Sequence, residues 1–247
     1  MKRLRLFVAT VIIAAATACN FTEEVYLNDD GSGKLSINFD ANELMAMAGS
    51  LDSLKQEKAM DSTIVFKDLL EEKKDSIAQL PSEEQAKLKK LEAFSMHIVM
   101  KPEEQKMQFE MFSEFKNVNE VNDAFNAFQN VSALGPSPMG GNQAPPMPVQ
   151  DPTTQVNYTF SGNQFSRSTT IINQELFQKS LDSLAGAEMF LSSSTYTFKY
   201  HFPRRVKNVN VEGATFSMDG KTMIYEVSFL DMMKMPESIN LEVELED

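Results

Sequence analysis

Cys19 is the one cysteine among 247 residues. A lone thiol can be acylated or act as a nucleophile, but it cannot form an internal disulfide or a thiolate metal cluster. The stretch AAATACNFTEE, residues 14–24, places it directly behind an apolar run. Other chemistry-bearing types are sparse. Gly31-Ser32-Gly33-Lys34 resembles the end of a phosphate loop, but Asn28 stands where the first glycine is required and Leu35 where Ser or Thr must follow the lysine. The same turn sets Asn28, Asp30 and Ser32 at alternate positions, as a calcium loop begins. Its twelfth position, which needs a bidentate Glu, is Phe39. The two histidines, His97 and His201, have no second His or Cys at ligand spacing, so no zinc site is expected. No Gly-x-Ser-x-Gly elbow occurs, and the many carboxylates single out no catalytic pair. The sequence therefore predicts no catalytic residue, no cofactor, no metal site and no enzyme activity.

The N-terminus carries the strongest signal. Lys2, Arg3 and Arg5 form a basic region, residues 6–16 an apolar core, and Ala16-Thr17-Ala18 supplies the small residues of a signal-peptidase site. Eleven residues are too few to span a bilayer. Cleavage between Ala18 and Cys19 fits ordinary secretion as well as lipoprotein processing, since Ala16 replaces the usual Leu of a lipobox. What separates the two is that the only cysteine stands at the first residue after the cut.

This segment resembles a bacterial lipoprotein signal, and the rest of the chain is similar to envelope lipoproteins of Bacteroidota and, in its alternation of hairpins and helices, to LppM-like lipoprotein ectodomains. The resemblance implies a thioether from Cys19 to diacylglycerol and acylation of the freed amine. Two or three chains, at about 0.8 kcal/mol per buried CH₂, make a durable anchor. Asn20, in place of the Asp that retains many lipoproteins at the inner membrane, implies the outer membrane; periplasmic and outward-facing orientations both fit. Asp52-Ser53-Leu54, Asp75-Ser76-Ile77 and Asp182-Ser183-Leu184 match the Asp-Ser-apolar pattern of O-glycosylation in that phylum, a pattern that amphipathic helices also produce by chance.

The elements that would position these residues read as hairpins leading into helices. Val25 and Leu27 share a face with Leu35, Ile37 and Phe39 around the turn at 28–33. Met96, Ile98 and Met100 oppose Met107, Phe109 and Met111, so these methionines read as core filling. Val156, Tyr158 and Phe160 oppose Phe165 and Thr169. Helices are expected at 42–54, at 119–128 and at 174–190. Residues 55–94 read as one or two amphipathic helices broken at Pro81, with a capping box from Ser82 and Gln85. Ser-Leu-Asp-Ser-Leu recurs at 50–54 and 180–184, which suggests a ββα repeat or convergence of similar helices. Tyr196, Phe198, Tyr200 and Phe202 alternate with polar residues, as do Ile239, Leu241, Val243 and Leu245. Asp219-Gly220 reads as a two-residue turn pairing Phe216 with Met223, and Met232-Met233-Lys234-Met235 as an exposed apolar edge.

The predicted fold class is α+β, with antiparallel sheets built from hairpins and helices packed on one face. Its segments are a signal peptide (1–18), an acylated tether (19–24), a first ectodomain part (25–134), a Pro/Gly-rich loop or linker (135–155) and a β-rich second part (156–247). The net charge is −12 overall. Without Lys2, Arg3 and Arg5 it becomes 20 basic against 35 acidic side chains, or −15. Such a surface repels phosphate backbones and excludes nucleic acid as a partner. The expected partners are the membrane, through lipid at Cys19, and either an envelope protein or an apolar ligand. The expected function is a lipid-anchored, non-catalytic binding or scaffold module, the alternative being a carrier or sensor of an apolar molecule.

Overall fold

Alternating apolar residues become three antiparallel hairpins. The computed structural model describes residues 20–42, 45, 59–122, 124, 126, 151–184 and 188–247. β1 (Asn20–Leu27) and β2 (Gly33–Asp40) set Val25 opposite Leu35 and Phe21 opposite Phe39. At the turn between them, a Cβ on Gly33 would lie 1.9 Å from the Tyr26 carbonyl oxygen and 2.8 Å from the Phe115 ring, so only glycine lets the strands meet there. β3 (Met60–Val65) follows, a strand where helix was expected. After Met60 its residues are polar or β-branched, and as an edge strand it has no fully apolar face to betray its period. β4 (Ser95–Lys101) and β5 (Lys106–Phe115) pair Met96, Ile98 and Met100 with Met111, Phe109 and Met107, the predicted register.

Between β3 and β4 the chain forms α1 (Phe66–Glu72), α2 (Lys74–Ile77) and α3 (Ser82–Lys89), then the 3-10 segment Lys90–Ala93. The expected capping box does not form. Pro81 takes the cap position without a side-chain bond, and the Gln85 amide donates instead to the Leu80 carbonyl at 2.8 Å. Residues 42–54, which hold Ser53 and the first Ser-Leu-Asp-Ser-Leu, lie outside the described residues except for Asn42 and Met45. So do 127–150, and with them most of the expected loop. The helix expected at 119–128 begins as the 3-10 turn Val118–Val121.

The third hairpin, β6 (Thr154–Ser161) with β7 (Gln164–Ile171), again has the expected register, Phe160 opposite Phe165 and Val156 opposite Thr169. Then come α4 (Gln174–Leu184), α5 (Glu188–Leu191), β8 (Thr195–His201), β9 (Val206–Val209), β10 (Thr215–Phe216), β11 (Thr222–Ser228), α6 (Phe229–Lys234) and β12 (Leu241–Leu245). Phe216 does face Met223, but the turn has four residues rather than two: the Ser217 amide pairs with the Thr222 carbonyl at 3.0 Å and the Gly220 amide closes back on the Ser217 carbonyl at 2.8 Å. Both loop lengths give the same strand register, which is why the pairing was legible and the turn type was not.

Two sheets result. The larger has the order β10-β11-β8-β1-β2-β5-β4-β3, and the smaller β6-β7-β12-β9. β1 sits inside the larger sheet, antiparallel to β2 and parallel to β8, from Asn20 opposite Thr195 to Tyr26 opposite His201. This parallel pairing departs from the all-antiparallel expectation within an α+β fold. Inward side chains of both sheets and of α1, α3 and α6 join one core that includes Leu35, Ile37, Leu91, Met111, Tyr158, Phe198 and Leu241. Phe165 meets Tyr200 and Phe202 edge-on at 5.2 and 5.5 Å, closing one sheet on the other.

Candidate functional site

Because β1 starts at Asn20, the tether expected at 19–24 is a correction: its acidic residues are built into a central strand. Side chains alternate across a strand, so the two glutamates part company, Glu23 to the core and Glu24 to the outer face. Glu23 is 0% exposed. A charge there is tolerated only if every lone pair is used, and β7 and β8 supply the partners.

Arg167 of β7 crosses from the smaller sheet, its Nε 3.0 and 3.3 Å from the Glu23 oxygens and its Nη2 3.2 Å from Oε2. From β8, the Tyr200 hydroxyl donates to Oε1 at 2.5 Å and the Tyr196 hydroxyl to Oε2 at 2.8 Å. Arg167 Nη1 donates to Thr169 Oγ1 at 2.9 Å, and the guanidinium lies over the Phe198 ring at 4.8 Å. Tyr158, directly opposite Arg167 across the β6–β7 pair, completes the cluster. Burial by itself pushes the Glu23 pKa up, but the Arg167 charge and the hydrogen bonds from Tyr200, Arg167 and Tyr196 outweigh it and hold the carboxyl below its ordinary value. Burial first, and the Glu23 charge second, push Tyr158, Tyr196 and Tyr200 well above the usual phenol value. The result is an ionised pair ringed by neutral phenols, joining the two sheets at the centre of the molecule. Both carboxylate oxygens are already occupied, which suits a clamp rather than proton transfer to a bound molecule.

On the outer face Glu24 Oε1 gathers three groups: His201 Nε2 at 2.8 Å, Lys199 Nζ at 2.9 Å and the Tyr26 hydroxyl at 2.9 Å. The His201 ring stacks on Tyr26 at 4.0 Å and its Nδ1 meets Thr222 Oγ1 at 3.0 Å. Burial raises the Glu24 pKa, and the hydrogen bonds from Lys199, His201 and Tyr26 more than reverse that, leaving it lowered. His97 is elsewhere, bonded to Asp61 at 2.9 Å. In the 28–33 turn Asp30 Oδ1 accepts from the Ser32 amide at 3.0 Å and its hydroxyl at 2.6 Å, so these oxygens bind each other. Among the described residues no group of His, Cys, Asp or Glu is placed to hold a metal ion.

The remaining expected positions are dispersed. Ala18, Cys19 and Ser53 lie outside the described residues. Ser76 is exposed on α2, and Ser183 is exposed on α4 with its hydroxyl bonded to the Lys179 carbonyl at 3.1 Å. The apolar edge expected at 232–235 is largely helix α6: Met232 is buried and Met235 is 54% exposed, because only one side of a helix can face out. A pocket of about 50 Å³ opens beside Arg167, lined by Phe177, Met232, Met233 and Pro236. An open cleft of about 620 Å³ between α1, α2 and α3 has Leu70, Ile77 and Leu88 on its floor and Lys67, Lys74 and Lys89 among its lining. No described helix is long and apolar enough to cross a membrane.

Sequence reasoning missed the Glu23–Arg167 pair, although the signal was present. Glu23 shares parity with Phe21, Val25 and Leu27, and Arg167 with Phe165 and Thr169, so one acid and one base stood on inward faces.

No family model matches the chain, and no curated protein matches it. Among solved structures it is similar to the folded domain of the LppM protein of Mycobacterium tuberculosis, determined by NMR, at 7% identity over 93% of this chain and 91% of that one, with a TM-score of 0.40.

Proposed function

We propose that this protein is a lipid-anchored, non-catalytic binding or scaffold module of the bacterial cell envelope, held through acylated Cys19 and directed to the outer membrane. The observation that carries the reading is the position of the single cysteine, at the first residue after a signal-peptidase site and immediately before Asn20, where β1 begins. A thiol kept only at that junction matches the chemistry of lipidation. The self-satisfied state of Glu23 supports a role without catalysis, since its acceptors are filled by Arg167, Tyr196 and Tyr200. An apolar-ligand carrier would draw support from a cavity of about 300 Å³ or more lined by aromatic and apolar side chains. Among the described residues the pocket beside Phe177 and Met232 holds about 50 Å³, and the larger cleft adds Lys67, Lys74 and Lys89 to Leu70, Ile77 and Leu88 in its lining, which favours the scaffold reading.

The test is growth with labelled palmitate of cells making the wild type and Cys19→Ser. The wild type is expected to take up label and to stay with membranes through a high-salt wash, and the variant to do neither. Label in the variant, or salt-resistant retention of it, would overturn the proposal.

A further inference from the structure

If Cys19 is acylated, the lack of any spacer before β1 decides which part of the molecule meets the bilayer. Adjacent Cα atoms are about 3.8 Å apart, so the lipid would hang one residue from Asn20. Asn20 lies at one end of the larger sheet, beside Asp40 of β2 and Thr195 of β8. The same end of the smaller sheet can be traced along the chain. β11 reaches it at Ser228, opposite Thr195, and α6 leaves from there. After α6 the chain arrives at Glu237, whose carboxylate accepts from the Ile171 amide at the end of β7. The opposite ends are likewise joined, through Arg204 to the Gly162 carbonyl at 2.7 Å and to Asp29 at 3.3 Å.

We infer that the end of the two-sheet body formed by Asn20, Thr195, Ile172 and Met235 rests on the lipid surface, with the strands rising away from it. This inference rests on the proposed anchor at Cys19. A further observation points the same way. Ile172 is 51% and Met235 54% exposed, so each sheet's anchor-side end presents a large apolar side chain to solvent. The β4–β5 turn at that end carries Lys101 and Lys106 together with Glu103 and Glu104, and Lys101 lies 3.9 Å from Glu104, so the turn adds no net charge there. Lying flat on the outer face would instead press the ion pairs Glu24–Lys199 and Glu110–Lys34 and the exposed Glu114 against the lipid, which desolvates these charges. β1 has eight residues, and at about 3.3 Å each it would lift the opposite end roughly 26 Å from the bilayer. Met218, 104% exposed in the β10–β11 turn, marks that far end.

The single native cysteine makes the test clean, because acylation leaves the full-length protein with no free thiol. Ile172→Cys, Met235→Cys and Met218→Cys are each labelled with a small fluorophore in the purified lipidated protein and placed in phosphatidylcholine vesicles carrying a shallow spin-labelled lipid. Quenching at positions 172 and 235 is expected to exceed that at 218 several-fold. Inserting six Gly/Ser residues between Cys19 and Asn20 is expected to shrink the difference. A vesicle-bound, acylated protein quenched as strongly at 218 as at 172 and 235 would overturn the inference and leave the anchor standing. Absence of acyl chains on Cys19 would overturn both.

Discussion

Glu23 and Arg167 set the electrostatic character of the interior. Removing one member leaves the other charged, buried and unpaired, at a cost of about 3–5 kcal/mol, whereas replacing both by apolar residues of similar volume is near neutral or stabilising. Glu23→Leu alone and Arg167→Met alone are therefore expected to lower the urea midpoint strongly, and the double variant to recover most of the loss. Additive losses in the double variant would show that the two residues act independently. The pH dependence has a definite sign. Folded Glu23 releases its proton more readily than the unfolded chain does, so its contribution is full above the unfolded carboxylate value, near 4.3, and is lost as pH falls through the lower folded value. Wild-type urea midpoints are expected to fall more steeply between about pH 5 and 3 than those of the double variant. At the other extreme Tyr158, Tyr196 and Tyr200 have raised pKa values. Their contribution is full below the ordinary phenol value of about 10 and is lost as pH rises through the folded values. Three of the five tyrosines are thus expected to ionise, by phenolate absorbance, only together with unfolding; ionisation of all five before any change in circular dichroism would contradict their burial. Strand parity puts both charges inward, but their meeting, and the tyrosines that β8 brings to Glu23, depend on the pairing of β1 with β8.

At the scale of elements, the register of each predicted hairpin was legible because a half-buried strand must alternate and its turn fixes the offset. Met96 opposite Met111 and Phe160 opposite Phe165 follow from that rule. What sequence could not show was the parallel meeting of β1 with β8, since no local turn joins them, nor β3, whose Asp61, Ser62 and Thr63 carry no apolar period. The β1–β2 turn offers a sharp test of close approach. Gly33→Ala would place a methyl group 1.9 Å from a backbone oxygen that cannot swing aside, and overpacking of this kind costs about 1–3 kcal/mol. Thermal melting is expected to show Gly33→Ala clearly below wild type; an unchanged midpoint would mean that the two strands do not approach as described.

For the whole molecule, the two sheets and their shared core form a body clamped at Glu23–Arg167, with β1 serving both as the source of the clamp and as the strand next to Cys19. The α+β class was readable from hairpins alternating with helices. The division into two sheets was not, because β12 at the C-terminal end of the chain inserts between β7 and β9. If the chain is anchored through Cys19 as proposed, such rigidity would hold whatever it binds at a fixed height above the lipid. The measurement that bears most directly on this view is the mass of the N-terminal peptide of the mature protein taken from membranes. It is expected to begin at Cys19 and to carry diacylglycerol with two or three acyl chains in all. A peptide that begins at Cys19 with a free thiol, or one that still contains Ala18, would contradict it.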